Sequence, residues 1–240
     1  IHDILPECNK KLLDAFLNCD EALKRAEEEM LFTQRHGIRC LTINDADYPA
    51  LLSDCDDAPI VLFVLGGINL NRQHIVSVVG TRRCTEYGRE TTERFVRELR
   101  EICPDAVICS GLAYGIDIVA HRAALEGGMD TIGVLAHGLD TIYPASHRNT
   151  AKEVMRHGGL VTEYFQNTNA DKMNFLRRNR IIAGLSCATV VIESAYRGGS
   201  LSTARIAGEY NRDVFAVPGR IGDQYSEGCN ELIAKNKGQI

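Results

Sequence analysis

Tryptophan is absent from this 240-residue chain, and aromatic residues make up only 6% of it. With 45% hydrophobic and 25% charged residues the composition is still that of a folded globular protein, which excludes disorder and fibrous repeats. Long apolar runs are also missing. The longest, Ile60 to Leu65, is far below the ~20 residues of a bilayer-crossing helix. The N-terminus has no apolar stretch of signal-peptide length and no initial methionine, so the chain reads as a fragment without export machinery. Nine cysteines are present, but they are odd in number and scattered, with no CxxC pair. Neither a disulfide framework nor a zinc site is expected, and the pattern fits a reducing compartment. No GxxxxGK[ST] and no full GxGxxG occurs, so ATP hydrolysis and NAD chemistry lose most of their support. A bulk polycation is excluded by the net charge of -5. That average conceals an asymmetry: residues 1–70 hold 6 Lys+Arg against 13 Asp+Glu, leaving 21 against 19 in residues 71–240. The acid sits at the front, and the weakly positive remainder permits a local anion site.

What is present is a rhythm. Between Lys10 and Gln34 the residues favour two short helices broken near Asn18–Asp20, stopped by Gly37. Ile38–Ile43, the Asp45–Pro49 turn and Ile60–Leu65 then read as strand, loop, strand. After Asn71, short β-branched strands alternate with amphipathic helices. The strands are placed at Ile75–Val79, Ala106–Cys109, Thr131–Leu135, Ala188–Ile192 and Val214–Val217. The helices are placed at Arg89–Glu101, Ile116–Glu126, His147–Arg156, Asn174–Ala183, Ser202–Tyr210 and Glu227–Lys235. This predicts an α/β fold, an extended Rossmann-like, doubly wound and mostly parallel sheet, preceded by a short helical N-terminal piece.

In such a sheet, ligands bind outside the carboxyl ends of the strands. Every loop expected there carries glycine: Gly80-Thr81-Arg82-Arg83, Ser110-Gly111 through Asp117, His137-Gly138-Leu139-Asp140, Glu193 through Ser200, and Pro218-Gly219-Arg220. Any one of these glycines could simply end a strand, but together they suit phosphate, because backbone approaches closely and each next helix opens with unpaired amides. Arg82 and Arg83 put at least one guanidinium at the mouth, the other being a solvated surface residue. Arg177, Arg178 and Arg180 crowd the expected start of a helix, against its dipole, which calls for an anion or for salt bridges to Glu163 or Glu193. Tyr114, Tyr143, Phe175 and Tyr196 lie in or beside these loops, as packing residues or as platforms for stacked bases, with Phe175 the first choice for a base contact. Catalytic constellations are weak. Asp117 could cap or orient a loop and bond His121 on the same helix face, and Ser200, Ser202 and Thr203 read as cap or phosphate-binding hydroxyls.

Val79-Gly80-Thr81-Arg82, Ser110-Gly111-Leu112-Ala113 with Gly115-Ile116-Asp117 and Ala120-His121, Gly138-Leu139-Asp140 with Tyr143-Pro144, and Asn174-Phe175 with Arg178-Asn179-Arg180 occur in this order, followed by Gly199-Ser200-Leu201 and Phe215 to Gly219. The series resembles the DNA-processing protein A (DprA, also called Smf) family over about residues 36–240. That resemblance implies a cytoplasmic, non-enzymatic single-stranded-DNA-binding protein of bacterial natural transformation. Such proteins dimerise, protect incoming strands and help load the RecA recombinase, with no cofactor, metal or membrane. It further implies residues 1–35 as part of a helical, SAM-like or helix-hairpin domain, 36–240 as the DNA-binding domain, and a winged-helix-like domain beyond. The resemblance places the DNA pocket on Arg82, Phe175, Arg178 and Arg180; with the loops read above, the expected DNA site is Gly80, Thr81, Arg82, Ser110, Gly111, Tyr143, Asn174, Phe175, Arg178, Asn179, Arg180, Gly199 and Ser200. Two positions depart from the family: Tyr114 and Ala145 stand where members often carry a basic residue, with His147 or Arg148 as substitutes. The alternative is an enzyme similar to the phosphoribohydrolases that act on nucleoside monophosphates, although the Gly198-Gly199 segment lacks their full pattern and following glutamate.

Overall fold

The computed structural model describes residue 11 and residues 17–240. Two compact units are present, dividing between Gly37 and Ile38. In the first, helix α1 (Asp20–His36) is acidic in its first turn and basic in its last, as its dipole favours, and Gly37 ends it in the left-handed conformation. The expected break near Asn18–Asp20 precedes this helix, and the helix expected before it falls largely outside the described residues.

The second unit is an α/β domain with eight strands: β1 (Arg39–Thr42), β2 (Val61–Gly66), β3 (Ile75–Val79), β4 (Val107–Ser110), β5 (Thr131–Val134), β6 (Gly158–Thr162), β7 (Ala188–Val191) and β8 (Asp213–Ala216). They form one sheet in the order β1-β2-β6-β5-β4-β3-β7-β8. From β6 to β8 every pairing is parallel, while β1 and β2 add an antiparallel edge. Helices connect the strands: α2 (Ala50–Ser53), α3 (Glu86–Ile102), α4 (Ile116–Glu126), α5 (Arg148–Arg156), α6 (Lys172–Leu185), α7 (Gly199–Glu209) and α8 (Glu227–Ala234). One face of the sheet buries Leu62, Ile132 and Val191 against Leu52 of α2, Ile181 and Leu185 of α6 and Ala204 of α7. The other buries Val78 and Ile108 against Val96 of α3 and Ile116 and Ala120 of α4. Strands covered on both faces must be apolar throughout, which is why the β-branched runs were visible in the sequence.

Strand β6 was not among the expected strands. It opens on Gly158-Gly159, which reads locally as a break, yet those glycines are what let it pair. A Cβ on Gly158 would meet the Thr131 carbonyl oxygen at 2.0 Å, and one on the facing Gly66 would meet the Gly158 carbonyl oxygen at 2.4 Å. The chain runs from β3 through β4 and β5 to β6 in one direction, then returns to β7 and β8 on the opposite side of β3. The strand order therefore reverses between β3 and β7, and the loops leaving those two strands open a crevice. No described helix is long and apolar enough to cross a membrane.

Candidate nucleic-acid interface

The crevice begins where β3 ends. Thr81 donates its amide to the Glu193 carbonyl at the end of β7 (2.8 Å), which ties the two diverging loops together. Gly115, opening α4 with φ of 78°, packs so tightly that a Cβ would lie 2.1 Å from the Thr81 carbonyl oxygen. This holds Arg82 at the rim. Between β4 and α4, buried Leu112 also takes a positive φ of 54°, a strained conformation for a branched residue and one that concentrates at binding loops.

Helix α6 supplies the opposite wall. Asp171 caps it by accepting the Asn174 amide (2.8 Å), so the helix starts at Lys172. Phe175 and Arg178, three residues apart, then share a face. Arg178 is only 3% exposed; its Nη1 donates to the Val134 carbonyl (2.6 Å), and its Nε is buried without a partner. The guanidinium lies against Gly111, where a Cβ would come within 1.9 Å of Nη1. Burial lowers the Arg178 pKa, and the nearby Asp117 carboxylate opposes that shift. Asp117, at the start of α4, accepts the Gly111 and Ala113 amides (3.1 and 3.4 Å). Burial raises its pKa, and Arg178 is the strongest force holding it down. The two buried groups thus oppose each other's neutralisation beneath the cleft.

Above them, Phe175 sits between two cations. The Arg82 guanidinium carbon lies 4.5 Å from the ring centroid and that of Arg178 5.7 Å, while the Tyr143 ring is 5.9 Å away at 57°. Opposite, α7 begins at Gly199 without a side-chain cap, and its first residues line the same space, so amides at the positive end of its dipole face the opening. These walls enclose an open cleft of about 590 Å³. The arrangement offers anion donors from Arg82, Lys172 and the α7 amides, and two aromatic faces, Phe175 and Tyr143, tilted to each other, a combination suited to a phosphate joined to a ring.

Of the sequence-predicted site residues, Gly80, Thr81, Arg82, Tyr143, Phe175, Arg178, Asn179, Gly199 and Ser200 line the cleft. The other four do not. Ser110 is fully buried and donates to the Val78 carbonyl (2.7 Å), Gly111 lies against Arg178, and Asn174 is buried with its side-chain amide on the Asn169 carbonyl (3.1 Å). Arg180 turns away from the cleft, pairing with Glu163 and, at 3.9 Å, with Asp57. This resolves the arginine cluster: α6 starts well before the arginines, so they do not crowd its N-terminus, and one of the anticipated salt bridges holds Arg180.

Other expectations shift too. His121 does not bond Asp117; its Nδ1 pairs with the Thr131 hydroxyl (2.8 Å), and burial pushes its pKa down to about 3. His147, a suggested substitute cation, is buried with Nδ1 on the Leu112 carbonyl (2.9 Å), while Arg148 is exposed. Glu193 is spent on the Thr85 amide and hydroxyl and is not part of the cleft lining. Sequence reasoning missed Lys172, which lines the cleft, while Thr203, read from the sequence as a cap or phosphate-binding hydroxyl, lines it too. The signal for Lys172 was helix placement, since α6 begins earlier than the apolar periodicity indicates.

Fold and site together define a Rossmann-like α/β protein whose cleft, at the reversal of strand order, brings guanidiniums and aromatic rings together. Residues 39–240 match the family model described as DNA recombination-mediator protein A, and the chain belongs to that family. It is 42% identical over 192 residues to DNA processing protein DprA of Streptococcus pneumoniae, covering 80% of this chain and 67% of that protein. Protein Smf of Escherichia coli is 40% identical over 211 residues, covering 88% of this chain and 56% of that protein. The chain thus spans roughly half to two thirds of these curated relatives. Its fold matches the crystal structure of the S. pneumoniae protein with a TM-score of 0.85 at 36% identity, over 98% of this chain and 80% of that one. A structure of DNA processing protein A from Helicobacter pylori, described for its single-stranded DNA binding mode, matches with a TM-score of 0.76 at 32% identity, over 84% of this chain and 89% of that one.

Proposed function

We propose that this chain binds single-stranded DNA in the cleft between β3, β7 and α6, with phosphates on Arg82 and the α7 amides and a base against Phe175. The observation that carries this reading is the Phe175 ring lying within 4.5 and 5.7 Å of the Arg82 and Arg178 guanidinium carbons in the lining of an open cleft. A duplex hides its base faces, so a ring platform of this kind favours unpaired strands without strict sequence choice. Family membership and the relative described with single-stranded DNA support the same ligand. The finer reading is a recombination mediator without catalytic turnover, working as a homodimer in the cytoplasm, protecting transforming strands and passing them to RecA. It rests on the family.

Fluorescence anisotropy of labelled single- and double-stranded oligonucleotides at two salt concentrations tests the reading. Preference for the single strand, weakened by salt, is expected. Equal affinity for duplex, or no binding to either, would overturn it.

A further inference from the structure

The single-strand reading seats one base at Phe175, but exposed aromatic surface does not stop at the edge of the cleft. Tyr114 follows Ala113, which lines the cleft, and is 48% exposed. An exposed tyrosine is normally a mobile side chain, yet this one is held. Its ring packs edge-on against the His147 imidazole, with centroids 4.9 Å apart and planes at 70°, and its hydroxyl accepts from Ser146 (3.4 Å). His147 is itself buried and anchored to the Leu112 carbonyl. Tyr114 is therefore an exposed ring on a fixed mount.

Its position is fixed relative to the cleft as well. Gly115 would place a Cβ 2.8 Å from the Arg82 Cα, so Tyr114, one residue earlier, has its Cα within about 9 Å of the arginine that covers Phe175. The segment from Tyr143 to His147 serves both places: Tyr143 stands against Phe175, while Ser146 and His147 hold Tyr114. Tyr143, which lines the cleft, is 47% exposed, and Tyr114, next in sequence to the lining residue Ala113, is exposed to a similar degree.

We propose that Tyr114 is a second base-stacking platform, receiving the nucleotide next to the one seated at Phe175 as the strand leaves the cleft past Arg82. This rests on the single-strand reading above and extends it from one nucleotide to a directed path. Stacking tolerates any base, so the platform adds affinity without adding sequence preference. It also explains how affinity is obtained at a lip where His147 is engaged within the fold and the exposed ring is neutral.

The test compares the unmodified chain with Tyr114→Ala, Tyr114→Phe and Tyr114→Lys, using dTMP as a single-nucleotide competitor and a twelve-residue oligo-dT as the strand. Tyr114→Ala is expected to weaken oligo-dT binding about 5- to 100-fold while leaving dTMP competition unchanged, and Tyr114→Phe to retain the oligo-dT affinity. Tyr114→Lys is expected to recover part of the affinity with a steeper salt dependence, because it substitutes a phosphate contact for stacking. Oligo-dT affinity unaltered in Tyr114→Ala would overturn the proposal. So would equal weakening of dTMP and oligo-dT, since that places the ring's effect on the cleft itself. Failure of the unmodified chain to bind oligo-dT would overturn the single-strand reading too, which separates the two failures. Thermal unfolding of each variant, expected to match the unmodified chain, excludes a folding defect.

Discussion

Two arginines on α6, only two residues apart, have opposite relations to their surroundings. Arg180 is engaged by carboxylates, with Glu163 and Asp57 closing on it from the β6–α6 connection and the segment after α2. Arg178 has no carboxylate within ion-pairing distance among the described residues; it donates to a backbone carbonyl and lies 5.7 Å from the Phe175 ring centroid, although each arginine keeps one buried donor unused. Two residues along a helix is a turn of about 200°, so the pair must face opposite ways. The lesson concerns how positive charge is used. A cation already neutralised within the fold is structural, whereas one kept short of partners at a cleft is available to a ligand.

The largest effect should come from the uncompensated member. Arg178→Ala removes the guanidinium facing buried Asp117 and is expected to cost about 3–5 kcal/mol of stability and to abolish measurable strand binding. Urea unfolding together with anisotropy would show both losses, and retained binding would end its assignment to the site. Arg82→Ala sharpens the contrast from the rim. Affinity should fall about 10- to 100-fold from the lost charged hydrogen bonds and ring contact, with a shallower salt slope by about 0.7 and a stability change within about 0.5 kcal/mol. Arg180→Ala should do the converse, destabilising by about 1–3 kcal/mol for a partly buried pair while the salt slope of binding stays the same. A reduced slope there would mean that Arg180 reaches phosphate after all.

The smallest effect is one of pH. The imidazole of His121 has an ordinary pKa of 6.5 and, buried, about 3. Between those values the unfolded chain binds more protons, so the stability this group contributes is complete above about 6.5 and is lost as pH falls toward 3. His137, also lowered by burial, acts in the same direction. Asp117 acts in the opposite one, because its pKa is raised and its proton uptake in the folded state favours folding as pH falls from above toward 3.8. His121→Gln should therefore flatten the loss of stability between pH 6.5 and 4.5 without removing it. Urea midpoints at the two pH values would register the change, and an unchanged slope would show that His121 does not titrate on unfolding.

How legible all this was depended on the range of the determining contact. Strands β3 and β5 and helix α4 could be read almost residue by residue, because double-sided burial writes itself into a short window as β-branched runs and helical periodicity. Strand β6 could not, since its glycines are required by Thr131 and Gly66, partners distant in sequence. At the site, the glycine loops and Arg82 followed from the rule that ligands gather at strand ends, whereas Phe175 and Arg178 were singled out by an arginine cluster expected at a helix start, although α6 begins well before it. The direction of Arg180 could not be read, because choosing between two faces of a helix needs its starting residue, and α6 starts at a polar Asp171-Lys172 step that apolar periodicity does not register. The His121 partner was missed for a related reason: a shared helix face permits contact with Asp117, but β5 offered Thr131 from across the fold.

The guanidinium resting on Phe175 has a consequence for selectivity. The Arg82 arm lays its guanidinium over the Phe175 ring, so the cation and the platform satisfy each other. A flat molecule without charge must uncover the ring and lose a cation–π contact of about 0.5–2 kcal/mol, gaining nothing in return from the arginine. An isolated anion can draw the arm outward but leaves the ring bare to water. Only a molecule carrying both features on one frame repays both halves of the broken contact at once. On the proposed reading, the cleft therefore requires coincidence, favouring a whole nucleotide over a free base or a free phosphate.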